Sequence, residues 1–151
     1  QLELAQSANA RQEPNSHFSV LMFDLDFFKQ INDEWGHQVG DVALIHFCDC
    51  IRELIPVDSA LGRVGGEEFL LLLARTDGNA AMLLSARLRS VLSTKPLRVG
   101  DKKLVLSFSA GVVEVCQPQR DTSALLMRAD KALYDAKRMG RGKTVVASDY
   151  L

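Results

Sequence analysis

Arg63-Val64-Gly65-Gly66-Glu67-Glu68-Phe69-Leu70-Leu71-Leu72-Leu73 sets two glycines and two adjacent carboxylates directly before an apolar run. Glycine lets a backbone turn tightly and admits a bulky ligand, and paired carboxylates suit a hard divalent cation. The leucine run reads as a buried strand, so the acids sit at a hairpin tip. A Gly-Gly pair before a strand also serves as a plain turn. The stretch by itself therefore leaves two readings open, a turn or a tip that holds metal and phosphate together.

A second acidic strand end lies upstream. Phe18-Ser19-Val20-Leu21-Met22-Phe23-Asp24-Leu25-Asp26 is an apolar run that stops at two acids. Side chains alternate along a strand, so Asp24 and Asp26 share a face. Acids finishing a buried strand are costly unless paired, solvated or metal-bound. Phe27-Phe28-Lys29-Gln30-Ile31-Asn32-Asp33 follows as a short helical turn whose first amides can receive phosphate oxygens, with Lys29 adding a positive charge. Trp35-Gly36-His37-Gln38-Val39-Gly40-Asp41 then supplies a glycine-bounded loop and a helix start.

The rest of the chain alternates helical and strand periodicity. Leu44, Phe47, Cys48, Ile51 and Ile55 form one helical stripe, Ala81, Leu84, Leu88, Val91 and Leu92 a second, and Leu125, Ala129, Leu133 and Ala136 a third. Strands are expected at 18–26, 58–64, 68–75, 103–115 and 144–148, with a short one at 96–99 and a hairpin turn at Val99-Gly100-Asp101-Lys102. These elements fit an α/β sandwich with a mainly antiparallel sheet covered by helices.

Composition sets outer limits. The 151 residues are 47% hydrophobic and 25% charged, which suits one globular domain with a sizeable core. A net charge of -1 gives no electrostatic case for nucleic acid or for direct membrane contact. No apolar run is long enough to span a bilayer and no signal-peptide pattern opens the chain, so a cytoplasmic domain, or one facing the cytosol, is expected. Cys48 and Cys50 diverge around a helix and Cys116 is remote, which supports neither a zinc knuckle nor a local disulfide and suggests reduced thiols. His17 and His46 read as surface or packing residues. Gly140-Arg141-Gly142-Lys143-Thr144 lacks the earlier glycine that a P-loop needs.

Together, Phe23-Asp24-Leu25-Asp26-Phe27-Phe28-Lys29, Asn32-Asp33, Gly36-His37, Gly40-Asp41, Gly65 to Phe69, and Ala132-Leu133-Tyr134-Asp135-Ala136-Lys137 with Gly140-Arg141 closely resemble the GGDEF family, the diguanylate cyclases that condense two GTP molecules into cyclic di-GMP. Order and spacing both agree. The resemblance implies a ferredoxin-like core akin to class III nucleotidyl cyclase domains, with the Asp24 strand end beside the Gly65-Gly66 hairpin. It implies Mg2+ or Mn2+ held by Asp24, the Leu25 carbonyl, Glu67 and Glu68. Glu67 and Lys29 are the implied catalytic residues, Glu67 helping to remove the hydroxyl proton; glutamate in place of the signature's aspartate is an accepted variant.

GTP phosphates would meet the Phe27 and Phe28 amides, Lys29, Lys137 and Arg141, and the nucleotide would pass Gly65 and Gly66. Without the resemblance, Lys137 and Arg141 read as cations suiting a helix C-terminus. Guanine would meet Asn32 and Asp41, with His37 a further substrate contact; read alone, Asn32 is a turn or cap residue and Asp41 an acid near a helix N-terminus. Serine at the Asp41 position marks a subgroup making cyclic GMP-AMP, so aspartate argues for GTP and cyclic di-GMP.

Two departures from the family pattern stand out. The Arg-x-x-Asp inhibitory site for product is replaced by Pro56-Val57-Asp58-Ser59, so Pro56 and Ser59 stand for the arginine and aspartate and no primary product inhibition is expected. Arg89 could match an accessory arginine, and alone reads as a solvated helix residue. The usual opening motifs are missing, so residues 1–13 are expected to be the remnant of a first helix, within a single domain over 1–151. The resemblance implies a homodimer for catalysis and an upstream sensory or dimerisation region. The rival reading is a catalytically inactive GTP-binding regulatory GGDEF module. A ferredoxin-like RNA-binding or protein-interaction domain would need exposed sheet aromatics and basic clustering, which the sequence does not show.

Overall fold

Eight consecutive residues, Phe18–Leu25, form strand β1 and every one of them is buried, because both faces of the strand are covered. The computed structural model describes residues 18–116 and 121–147. After β1 come α1 (Phe28–Trp35), α2 (His37–Arg52), β2 (Ala60–Gly65), β3 (Glu68–Ala74), α3 (Gly78–Thr94), β4 (Leu97–Val99), β5 (Lys102–Leu104), β6 (Phe108–Val115), α4 (Thr122–Arg138) and β7 (Thr144–Val146).

The main sheet has the order β2-β3-β1-β6-β7. β1 lies antiparallel between β3 and β6, β2 is antiparallel to β3, and β7 is parallel to β6. The first four strands of that order have the ferredoxin-like arrangement, as the resemblance implied. Among the described residues no helix is long and apolar enough to cross a membrane.

Alternation along β1 divides the interior. Leu21, Phe23 and Leu25 face a core shared with Phe47 and Ile51 of α2 and Leu88 and Leu92 of α3. Val20 and Met22 face a second core with Leu125, Ala129 and Leu133 of α4. Phe23 and Phe108 meet edge to face with centroids 5.4 Å apart, and each such fully buried ring contributes about 2–3 kcal/mol over leaving it exposed. On the other face, α4 lies directly on β6 at Gly111. A Cβ there would stand 2.4 Å from the Leu133 nitrogen and 2.5 Å from the Ala129 oxygen, so glycine is required for this approach. That contact fixes where the C-terminal end of α4 lands, which is over the end of β1.

Three expectations need adjustment. The strand expected over 103–115 is two: β5 pairs with β4 in a separate two-stranded sheet, and β6 begins only at Phe108. No glycine or proline marks the break; Ser107 leaves the ladder to donate from its hydroxyl to Asp26. α2 starts at His37, four residues before Asp41, because Gly36 at φ 91 releases the chain from α1 into a new helix. Ile55 lies beyond its end. Asp77 caps the start of α3, accepting from the Ala80 amide at 2.8 Å. The hairpin at Val99 to Lys102 is present, turning through Gly100 at φ 60. The first-helix remnant over 1–13 and His17 lie outside the described residues.

Candidate active site

Asp24 and Glu68 are directly opposite each other across the β1–β3 ladder, and the Leu25 amide donates to the Glu67 carbonyl at 3.3 Å. The two acidic clusters, some forty positions apart in sequence, therefore share one corner of the sheet. Glu67 and Glu68 are half-buried, while Gly65 and Gly66 form an exposed tip with open space around them and Gly66 at φ 51. Arg63 braces this tip by donating from Nε to the Gly66 carbonyl at 2.8 Å.

Below the tip is a cavity of about 300 Å³ lined by Asp24, Leu25, Asp26, Phe27, Phe28, Lys29, Gln30, Glu67, Lys137 and Arg141. Phe27 takes the left-handed conformation, φ 60, to turn the chain from β1 into α1, and its ring lies under the Arg141 guanidinium with 5.5 Å between them. Lys137, in the last turn of α4, forms an ion pair with Asp24 Oδ2. The other carboxylate oxygen, Asp24 Oδ1, is buried and accepts no hydrogen bond. Burial pushes the Asp24 carboxyl up, the Lys137 ammonium draws it back, and Glu67 and Asp26 push it up again. Glu68 is likewise raised, by burial first and then by Asp24. Negative charge is thus crowded here beyond what one lysine offsets.

A divalent cation fits this donor set. Asp24 Oδ1 is a buried acceptor lacking a partner, which is costly without one, and the Lys137 ammonium already stands where positive charge is wanted. Among the described residues no three histidine, cysteine, aspartate or glutamate side chains are gathered closely enough to hold a metal ion.

Of the remaining expected residues, Asn32 is held by a close approach of α1 to α2. Its Oδ1 lies 1.9 Å from where a Cβ on Gly40 would be, and the Phe28 ring edge 3.4 Å from the same point. His37 and Asp41 are exposed on the first turns of α2, and neither lines the phosphate-side cavity. Pro56 and Ser59 close a turn in which the Ser59 amide donates to the Pro56 carbonyl at 3.1 Å. Asp58 there is paired with Arg75, which holds its carboxyl below the usual range.

Arg89 is not the solvated residue expected. It is half-buried, donates to Gly142, Ser85 and Thr144, and stacks 4.3 Å from the Phe108 ring centroid. Asp26, noticed in the sequence only as the companion of Asp24, is buried and accepts from Ser107, Ser109 and Gly142. No local signal marks this role, since the two serines stand 81 and 83 positions away from Asp26 in sequence. Cys48 is half-buried, Cys50 buried and Cys116 exposed. His46 packs with its ring nitrogen 2.7 Å from the Lys95 carbonyl.

Fold and site together define an α+β domain of ferredoxin-like topology in which carboxylates at a glycine hairpin face basic side chains at a helix end across a polar cavity. The chain belongs to the GGDEF domain family: the family model for the diguanylate cyclase GGDEF domain matches residues 1–143. It is 33% identical over 150 residues to diguanylate cyclase A of Treponema denticola, covering 99% of this chain and 40% of that protein. The chain thus spans well under half the length of this curated relative. Among solved structures, the diguanylate cyclase SiaD of Pseudomonas aeruginosa, in complex with its activator SiaC, superposes with a TM-score of 0.86 at 40% identity, covering 97% of this chain and 56% of that one. The active GGEEF domain of a diguanylate cyclase from Vibrio cholerae gives 0.86 at 30% identity, covering 97% and 92%. Gly65-Gly66-Glu67-Glu68-Phe69 spells the same GGEEF signature.

Proposed function

We propose that this domain is the catalytic unit of a diguanylate cyclase, in which the 3'-hydroxyl oxygen of one GTP attacks the α-phosphorus of a second and the bond to pyrophosphate breaks. Repeated in the other direction, the step yields cyclic di-GMP and two pyrophosphates. The observation that carries this reading is the buried, unpartnered Asp24 Oδ1 beside Glu67 in a cavity whose other wall is Lys29, Lys137 and Arg141.

Each group has a role that its chemistry suits. Lys29 and Lys137 supply mobile positive charge to phosphate oxygens, and Arg141 a planar fork able to hold two of them. Phe27 and Phe28, at the start of α1, line the same cavity, and their amides would add neutral donors. Asp24, the Leu25 carbonyl, Glu67 and Glu68 would hold Mg2+ or Mn2+, which when bound supplies Lewis-acid stabilisation of charge on the transferring phosphate. Glu67 accepts the proton of the attacking hydroxyl, and Lys29 and Arg141 offset charge on the departing pyrophosphate. Lys137, paired with Asp24 here, would be free to meet a phosphate oxygen if Asp24 held a cation.

Guanine recognition falls to Asn32, held against Gly40, and to Asp41, whose carboxylate suits the N1-H and amine edge of the base. His37 borders the same region. One cavity takes one GTP and the reaction consumes two, so two copies must face each other, at least transiently. With proline and serine at positions 56 and 59, cyclic di-GMP should not inhibit through that turn. Product analysis after incubation with GTP and Mg2+ at high protein concentration, beside Glu67→Gln, tests the reading. Cyclic di-GMP from the wild type alone supports it; GTP binding without product from either would instead favour a regulatory module.

A further inference from the structure

Behind the cavity, three successive residues, Gly140, Arg141 and Gly142, all have positive φ, at 114, 62 and 60. Glycine accepts this region freely, whereas arginine is strained in it and persists there only if its surroundings hold it. Those surroundings are unusually complete. The Gly142 amide donates to Asp26 Oδ2 at 2.9 Å, and the Gly142 carbonyl accepts from Arg89 Nε at 3.0 Å. The Arg141 amide donates to the Ala136 carbonyl at 3.1 Å. Both polar groups of the residue after Arg141 are therefore clamped between an acid from the end of β1 and a guanidinium from α3.

The clamp is itself anchored. Arg89 Nη1 donates to Ser85 Oγ at 3.0 Å and Nη2 to Thr144 Oγ1 at 2.8 Å, while the Phe108 ring stacks under the guanidinium. Asp26, 5% exposed, is held by Ser107 and Ser109 hydroxyls, each at 2.7 Å. Arg89 Nη2 also donates to the Phe108 carbonyl at 3.5 Å, and Arg89 is not among the cavity's lining residues. Its links run to the turn that carries Arg141, which is.

We infer that Arg89 is a positioning residue for nucleotide binding, acting with Asp26 through Gly142 to hold the turn that presents Arg141 to the distal phosphates. The inference rests on the reading of the cavity as a GTP site. A lysine could not replace Arg89, because a single ammonium cannot span the Gly142 carbonyl, Ser85 and Thr144 in the planar geometry that a guanidinium offers.

The test measures binding of a non-hydrolysable GTP analogue and of GMP by calorimetry, for the wild type, Arg89→Gln, Arg141→Ala and the double variant. Arg89→Gln is expected to weaken the triphosphate roughly tenfold, by loss of one charge-assisted contact, and to leave GMP unchanged. If Arg89 works through Arg141, the double variant binds no worse than Arg141→Ala alone. Wild-type affinity in Arg89→Gln, equal weakening for GMP, or multiplied losses in the double variant would each overturn the inference. If Arg89→Gln does not fold, Thr144→Val keeps the guanidinium but removes an anchor; a partial loss of triphosphate affinity supports the inference, and none overturns it. A wild-type chain that binds neither ligand overturns the nucleotide reading and the purpose of the clamp with it. Faster exchange of the Gly142 amide in Arg89→Gln would then show that the clamp exists but serves something else.

Discussion

Replacing Gly40 with alanine separates stability from function at one atom. Gly40 is buried in the first turns of α2, and an added Cβ would stand 1.9 Å from Asn32 Oδ1 and 3.0 Å from its Cγ. Ordinary contact begins at 3.4 Å, so the carboxamide oxygen must retreat by about 1.5 Å, and the Phe28 ring edge, already at 3.4 Å, need not move. The obstacle is the far end of a half-exposed side chain rather than backbone, so the fold can absorb it. Alanine is also favoured over glycine inside a helix by about 1 kcal/mol, which offsets the rotamer cost to Asn32. The thermal midpoint should therefore stay within a few degrees of wild type or rise. Nucleotide recognition should not survive equally well. A displaced carboxamide forfeits its bond to guanine, about 1–2 kcal/mol, or roughly a tenfold rise in the Kd for GTP, with ATP binding unchanged. Calorimetric titration with GTP and ATP, beside a thermal melt, reads both quantities. Unchanged GTP affinity would refute the assignment of Asn32 to the base, and a drop of many degrees would refute the claim that only Asn32 must yield.

Lys137→Met removes the counter-charge of Asp24, leaving a buried carboxylate with neither oxygen paired, and should cost about 1–3 kcal/mol in a melt with chelator present. Adding Mg2+ should return most of that loss; a melt equally low with and without Mg2+ would count against a cation site at Asp24. Gly111→Ala meets helix backbone rather than a side chain, and should lower stability by about 3 kcal/mol, a fall in the thermal midpoint on the order of 10 °C; a wild-type midpoint would show that α4 is free to lift. Cys116 is exposed and should react with a thiol reagent in the native state, while burial raises the Cys50 thiol above its usual 9.0 and should protect it until unfolding. The sign follows: above pH 9 the unfolded chain loses a thiol proton that the folded chain keeps, so stability should fall as pH rises there, and Cys50→Ala should flatten the fall in denaturant midpoints.

The sheet was largely legible because its strands are buried on both faces or end in turn residues. Phe18 to Leu25 could scarcely be anything but a central strand, and Gly100 placed the β4–β5 hairpin to the residue. The miss at 103–115 has an instructive cause. Leu104-Val105-Leu106-Ser107-Phe108 carries no breaker, and the chain leaves the ladder there because Asp26, eighty positions away, needs the Ser107 hydroxyl and carbonyl. A long-range polar demand overrode local propensity, and alternation within one segment cannot report on such a demand. The early start of α2 is the opposite case. Gly36 was seen as a loop boundary, but only its φ of 91 shows that it is a hinge between two abutting helices.

At the site, residues with chemistry written into their type were legible, and residues that hold them were not. Asp24, Glu67, Lys29, Lys137 and Arg141 drew notice as charges beside glycines or strand ends, and the fold gathers Asp24, Glu67 and those three cations around one cavity. Arg89 drew notice too, but as a surface charge, since its neighbours in α3 are exposed at Arg87 and Ser90 and most of its partners are distant in sequence. Ser85 stands one turn back on the same helix, but the other acceptors come from the α4–β7 turn and β7, and helical periodicity does not report on those. Asp26 was misjudged for a related reason. Strand alternation gave it the same face as Asp24, yet by its position the strand has ended, and it turns to Ser107, Ser109 and Gly142. The two aspartates of one short motif thus divide the work, Asp24 keeping one buried oxygen without a hydrogen bond beside the cavity and Asp26 spending both of its oxygens on the wall behind it.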